Sequence, residues 1–362
     1  MNIRKVPKSF DLFSEGLSQS ILLDLIRYFL AAVVVLGHGF GFFFGYFDGF
    51  FPRVFPHPQS IAVVCFFYLS GFLIVGSQIS QSARAEGSLG KYLLDRTIRV
   101  YVTLIPSLIF VAAVDLSFQK LSAANVELVT NYASLKIFIG NLFLIPSMPY
   151  GTMRPIWSLM YEWWIYLLFG GLYYIKSNKA PAILFILVGM YYTLKVNASG
   201  EAGHIWIIWA LGGVCAYLQK KISWKDLNGH ALDGLALLLL IAAGWLYFIS
   251  KSAYNLPAGI FLALFLFIFT NKVSRFLRLL LPLRVVAKNM AGFSFTLFLT
   301  HYTVLTYTKE FLKLDGWIGL MVGFAISNIT AISISLFTEY RLTRIKLNLR
   351  KMATNQWSKK IQ

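Results

Sequence analysis

Two histidines, one glutamate and three arginines are the residues with which this otherwise apolar chain could do chemistry. His38 stands in LDLIRYFLAAVVVLGHG (23–39), His301 closes FSFTLFLTH (293–301), and Glu162 interrupts WSLMYEWWIY (157–166). A neutral imidazole can take a proton from a hydroxyl near neutral pH, and a carboxylate beside it fixes the tautomer and stabilises the imidazolium that forms. His38 is therefore the first candidate for a general base. Glu162, at similar depth by helix spacing, is its candidate support. His301 is a further catalytic candidate, although a histidine in mid-span serves helix packing equally well.

Arg27 precedes His38 by 11 residues, so on a helix the two share a face about 16 Å apart along the axis. Asp24, one turn earlier, can pair with Arg27 as a structural ion pair. Arg96 and Arg99, in RTIRVYVTLIP, share another helix face by their i, i+3 spacing. Two arginines at a helix end can simply anchor it at the surface. With Arg27 at comparable depth, the three guanidiniums would also make a clamp for a phosphate-rich cytosolic ligand, because each planar fork matches a phosphate.

Ionisable residues surrounded by apolar sequence need elements that bury them, and here those elements are membrane spans. The chain of 362 residues is 57% hydrophobic and 13% charged, which excludes an ordinary soluble domain. A helix needs roughly 20 apolar residues to cross a bilayer, where backbone groups must bond internally. Ten segments qualify: 21–44, 61–79, 100–118, 157–175, 180–195, 203–219, 233–250, 256–271, 291–312 and 316–337. The apolar piece 137–145 is too short to cross, and it lies at the interface or folds back into the bundle. Asp115, near the outer end of the third span, reads as interfacial.

The net charge of +18 raises the question of nucleic acid, and its distribution answers it. With the N-terminus inside, 24 of the 33 Lys and Arg fall on the cytoplasmic side and 8 outside, with Arg27 within the first span. That bias is the positive-inside pattern, so the charge is topological and faces anionic lipid heads. The expected fold is an all-α polytopic membrane protein of about ten transmembrane helices with both termini cytoplasmic. It comprises a cytoplasmic tail (1–20), one membrane domain (21–338) and a basic cytoplasmic tail (339–362). The polar N-terminus lacks the features of a cleavable signal. Cys65 and Cys215 lie inside apolar runs and imply neither a disulfide framework nor a metal site.

These segments together resemble the acyltransferase-3 family of integral membrane acyltransferases. The 23–39 stretch is similar to the family's opening helix with its Arg and His, FFYLSGFLI (66–74) to its second helix, and Arg96 with Arg99 to its paired-arginine motif. WSLMYEWWIY resembles its Trp-Ser-Leu segment followed by an acid, and FSFTLFLTH its late aromatic segment ending in His. The resemblance runs from about 20 to 340, in the family's order. It implies transfer of an acyl group, foremost acetyl, from acyl-CoA as donor substrate to a glycan or glycolipid hydroxyl at a bacterial inner membrane, with no permanently bound cofactor. It further implies that His38, Arg27, Arg96 and Arg99 fall on functional positions, the paired arginines at the donor. Some members carry a soluble hydrolase-like domain that completes transfer; here such a periplasmic partner would be a separate chain. The rival reading is a transporter or flippase of a lipid-linked glycan, which would use the cationic mouth but needs no base at His38. A glycan polymerase would carry arginines in a long external loop, and loop 119–156 has one, Arg154.

Overall fold

The computed structural model describes residues 17–45, 57–84, 87–121, 131–197, 201–224, 227–273, 282–342 and 344–345. The N-terminal tail before Leu17 and the basic C-terminal residues from Lys346 onward lie outside the described residues.

The described chain is all-helical, with eleven α-helices. They are α1 (Leu17–Phe44), α2 (Pro58–Ala83), α3 (Leu89–Leu121), α4 (Leu135–Leu142), α5 (Ile156–Tyr174), α6 (Lys179–Asn197), α7 (Ile205–Lys221), α8 (Gly229–Ser250), α9 (Leu256–Val273), α10 (Arg284–Leu312) and α11 (Gly316–Ser335). Each of the ten apolar segments is a helix. Six apolar stretches are long enough to cross a membrane: Gln19–Phe44, Pro58–Ala83, Leu89–Phe118, Ala202–Lys221, Gly229–Ser250 and Gly316–Arg341. The 137–145 piece forms the eight-residue α4, less than half of what a crossing needs.

The chain forms two compact units, one of residues 1–37, 46–88 and 193–291, the other of residues 38–45, 89–192 and 292–362. In the first unit, α2 lies against α7, and α9 packs on α8 and α7. Without a hydrophobic driving force between helices in lipid, close approach depends on small residues. Accordingly, a Cβ on Gly71 would run into the Trp209 carbonyl, and one on Gly212 into the Tyr68 carbonyl. The Trp209 indole N–H donates to the Ser70 hydroxyl at 3.1 Å across the same pair. Cys65 and Cys215 are both buried there. α8 is the reverse case: of its 22 residues only Ala243 and Tyr247 are buried, and its exposed Leu, Ile and Trp side chains suit a lipid neighbour better than water.

In the second unit, α3 packs against α5, α4 and α11. The Tyr92 hydroxyl donates to the Tyr166 carbonyl at 2.9 Å, and Gly170 leaves room for the Tyr92 ring. Higher on α3, Tyr101 meets the Trp163 ring edge-on at 5.7 Å. α3 and α5 are therefore antiparallel neighbours.

The link from α4 to α5 is stapled, and its residues 149–153 are buried. Asn141 accepts from the Tyr150 N–H at 2.8 Å, while its amide donates to the carbonyls of Ile137 and Met148, each at 2.9 Å. The Trp164 indole N–H donates to the Leu144 carbonyl at 2.8 Å. Two residues in the link have left-handed backbones, Leu144 (φ 53°) and Gly151 (φ 46°). Buried loop backbone needs such side-chain partners because no water reaches it.

Candidate active site

The second unit contains five of the six candidate residues, arranged at two levels along α3. Arg27 is the sixth and belongs to the first unit. Its one ion-pair partner among the described residues is Asp24, at 3.7 Å, and both side chains are about a quarter exposed. Exposed pairs of this kind contribute little stability, so a cation held near one carboxylate keeps most of its donors for other acceptors.

At the first level, Arg96 places its guanidinium carbon 5.9 Å from the Tyr92 ring centroid, within cation–π range. The Arg96 Nε is buried and has no hydrogen-bond partner among the described residues. Arg99 is half-buried one turn on, and Glu162 is half-buried on α5. The charges of Arg96 and Glu162 both act on Tyr92. Glu162 is the chain neighbour of Trp163, which meets Tyr101, so it belongs with the arginine end of α3.

At the second level, the His38 and His301 rings lie 5.4 Å apart at 31°. Tyr302 meets His38 edge-on at 5.3 Å, and Phe42 meets Tyr302 at 5.0 Å. His301 is fully enclosed, and its Nδ1 lies 3.1 Å from the Leu297 carbonyl oxygen. A helical periodicity places Leu297 one turn before His301, which is why this bond is available locally.

Beside the histidines is a polar knot that spacing alone did not reveal. Asp115, expected at an interface, is 0% exposed. It accepts from the Thr152 N–H at 2.9 Å, the Thr152 hydroxyl at 2.7 Å and the Tyr307 hydroxyl at 2.9 Å. The Thr152 and Thr303 hydroxyls are 2.8 Å apart, and Thr303 follows His301 by two residues. Burial, and then the charge of Asp115, push the nearby Tyr150 phenol above its ordinary range. A second carboxylate braces the same helix about two turns below Thr303: Glu339 accepts from the Thr296 hydroxyl at 2.6 Å and the Thr296 N–H at 3.2 Å.

Tyr101 and Asp115 are 14 residues apart on α3, about 21 Å of helix rise. His301 is the ring neighbour of His38, and Glu162 stands next to Trp163, whose ring meets Tyr101.

Chemically, one level offers guanidinium groups beside an aromatic ring and a carboxylate, suited to an anionic group. The other offers two imidazoles beside aromatic rings, His301 buried and His38 half-buried, suited to proton transfer or nucleophilic attack.

A family profile described as an acyltransferase domain of the acyltransferase-3 type matches residues 21–338. No curated protein and no solved structure matches the chain. The chain belongs to the acyltransferase-3 family: it is an acyltransferase, one that transfers groups other than aminoacyl groups, and its apolar helices mark it as a multi-pass membrane protein.

Proposed function

We propose that this family member takes an acyl group, foremost acetyl, from cytosolic acyl-CoA and delivers it to a hydroxyl of an envelope polysaccharide, lipopolysaccharide or glycolipid. It does so from a bacterial inner membrane that it crosses about ten times, with both termini in the cytoplasm. The observation that carries this reading is the His38–His301 pair, 5.4 Å between ring centres, with His301 fully buried and Arg96 in the early turns of α3. Arg96 and Asp115 are 19 residues apart, about 28 Å of rise, close to the roughly 30 Å of a hydrocarbon core. Cationic groups at one face and imidazoles toward the other fit a donor that enters from the cytosol and an acceptor that waits outside.

In this reading the acyl-CoA phosphates dock on Arg96, Arg99 and Arg27, and Glu162 supports His38. The thioester reaches His38 along α1. His38 takes the proton of the acceptor hydroxyl as its oxygen attacks the thioester carbon; the C–O bond forms, the C–S bond breaks, and the proton passes to the departing thiolate. In the two-step version, the His38 nitrogen attacks the thioester carbon and the C–S bond breaks, the thiolate leaving with the imidazole proton; the acceptor hydroxyl then attacks the acyl-imidazole, the C–N bond breaks and the hydroxyl proton returns to His38.

The test is purified protein in proteoliposomes with radiolabelled acetyl-CoA inside, alongside the mass of surface glycans from cells with and without the gene. Wild type should shift acceptor glycans by one acetyl mass per site, and His38→Ala should not. Unchanged glycans in cells lacking the gene, or full transfer by His38→Ala, would overturn the reading. A flippase would retain its activity in the His38→Ala protein, which separates the two classes.

A further inference from the structure

His301 is held in one tautomer by its own helix. Its Nδ1 lies 3.1 Å from the Leu297 carbonyl. A carbonyl oxygen only accepts, so Nδ1 carries the hydrogen and donates it. In a neutral imidazole the other nitrogen then bears a lone pair and no hydrogen. That nitrogen, Nε2, is buried without a hydrogen-bond partner among the described residues, in a side chain that is 0% exposed. An unfilled acceptor in such a place is unfavourable and calls for an explanation. The rings beside His301 are His38 at 5.4 Å and Phe298 at 6.3 Å. Phe298 has nothing to donate, and His38 has an N–H.

We infer that His301 is a positioning residue for His38: its Nε2 accepts the His38 N–H in the reacting complex, so that His38 turns its other nitrogen, unprotonated, toward the acceptor hydroxyl. With the nitrogens turned toward each other, a 5.4 Å separation of ring centres brings them into hydrogen-bonding range. The imidazolium that forms on His38 keeps the same bond, because its N–H still points at a lone pair. This inference rests on the reading of His38 as the reactive residue. The brace from Glu339 to Thr296 and the knot at Thr303 hold α10 on either side of His301, so the acceptor is set before substrate arrives.

Three substitutions separate positioning from mere packing. His301→Gln can place an amide oxygen near the Nε2 position and accept. His301→Asn reaches only the Nδ1 position, and His301→Leu offers no acceptor at all. For the purified proteins, initial rates of transfer from acetyl-CoA and the thermal unfolding midpoint in detergent are measured together. The expected result is His301→Gln within about tenfold of wild type. His301→Asn and His301→Leu should lose at least about 10²-fold in kcat with KM for acetyl-CoA unchanged, since misorienting a catalytic imidazole costs that much or more. A folded His301→Gln protein as inactive as His301→Leu would overturn the inference, because His301 would then have to accept a proton itself. A fully active His301→Leu would overturn it as well. If His301→Leu and His301→Asn do not fold, the His301→Gln rate alone decides. Full activity in His38→Ala is a separate outcome that removes the reading of His38, whatever the His301 variants do.

Discussion

Thr152 holds Asp115 with both of its donors, the backbone N–H 2.9 Å from one carboxylate oxygen and the hydroxyl 2.7 Å from the other. The Tyr307 hydroxyl completes the set, so one carboxylate ties α3, the link before α5 and α10 together beside His301. Asp115→Asn turns an –NH₂ toward groups that also donate. It should lower stability by about 1–3 kcal/mol, the cost of leaving a buried polar group unmatched. A smaller loss is expected for Thr152→Val, which removes one hydroxyl and keeps the shape. Thermal midpoints in detergent check both, and a wild-type midpoint for Asp115→Asn would contradict the account.

Gly151 should be irreplaceable for two independent reasons. Its φ of +46° favours glycine, and an added Cβ would press on the Asp115 carboxylate. Gly151→Ala is expected to cost more than the roughly 1 kcal/mol of a strained backbone alone. Gly244→Ala is the control: it lies within α8 with nothing within 4 Å of its Cβ position, and alanine is the better helix former there. The comparison is made by fluorescence-detected thermostability.

The α2–α7 contact predicts a sensitivity in the other unit. Gly71→Ala would drive a methyl into the Trp209 carbonyl, and backbone cannot swing aside as a side chain can. Expression as a monodisperse protein should fall sharply for Gly71→Ala and for Gly212→Ala, as measured by size-exclusion profiles.

Substituting Arg96 or Arg99 with Ala should weaken acyl-CoA binding by at least about tenfold, while the fold survives, because neither side chain is at the centre of a packed core. Lysine should rescue poorly, since a point charge cannot reproduce a planar fork or lie over the Tyr92 ring as Arg96 does. Isothermal titration with acetyl-CoA distinguishes the variants. Wild-type affinity in the double Ala protein would dismiss the donor clamp.

Topology is tested by reporter fusions. The distribution of Lys and Arg, 24 on one side against 8 on the other, predicts a cytoplasmic reporter after Gln362 and an external one within 48–58. An external C-terminus would require a different number of crossings.

What the sequence by itself determined follows from the strictness of the lipid environment. A span needs about 20 apolar residues and pairs its own backbone, so the helices were legible as apolar segments, and α4 was legible as too short. A charge among apolar residues is rare enough to stand out, which is how His38, His301, Glu162 and the arginines came to notice. Their partners were a matter for the tertiary structure. Asp115 stands near a helix end and looks interfacial until the link of residues 143–155 covers it, and its partners Thr152 and Tyr307 lie 37 and 192 residues away. Helix spacing counts depth only from the end of each element. Only packing of α5 on α3, through Tyr92–Tyr166 and Tyr101–Trp163, decides at what height α5 begins. The free Nε2 of His301 was equally beyond reach, since it depends on which atoms enclose a ring, and enclosure is a property of helices brought together, not of any one of them.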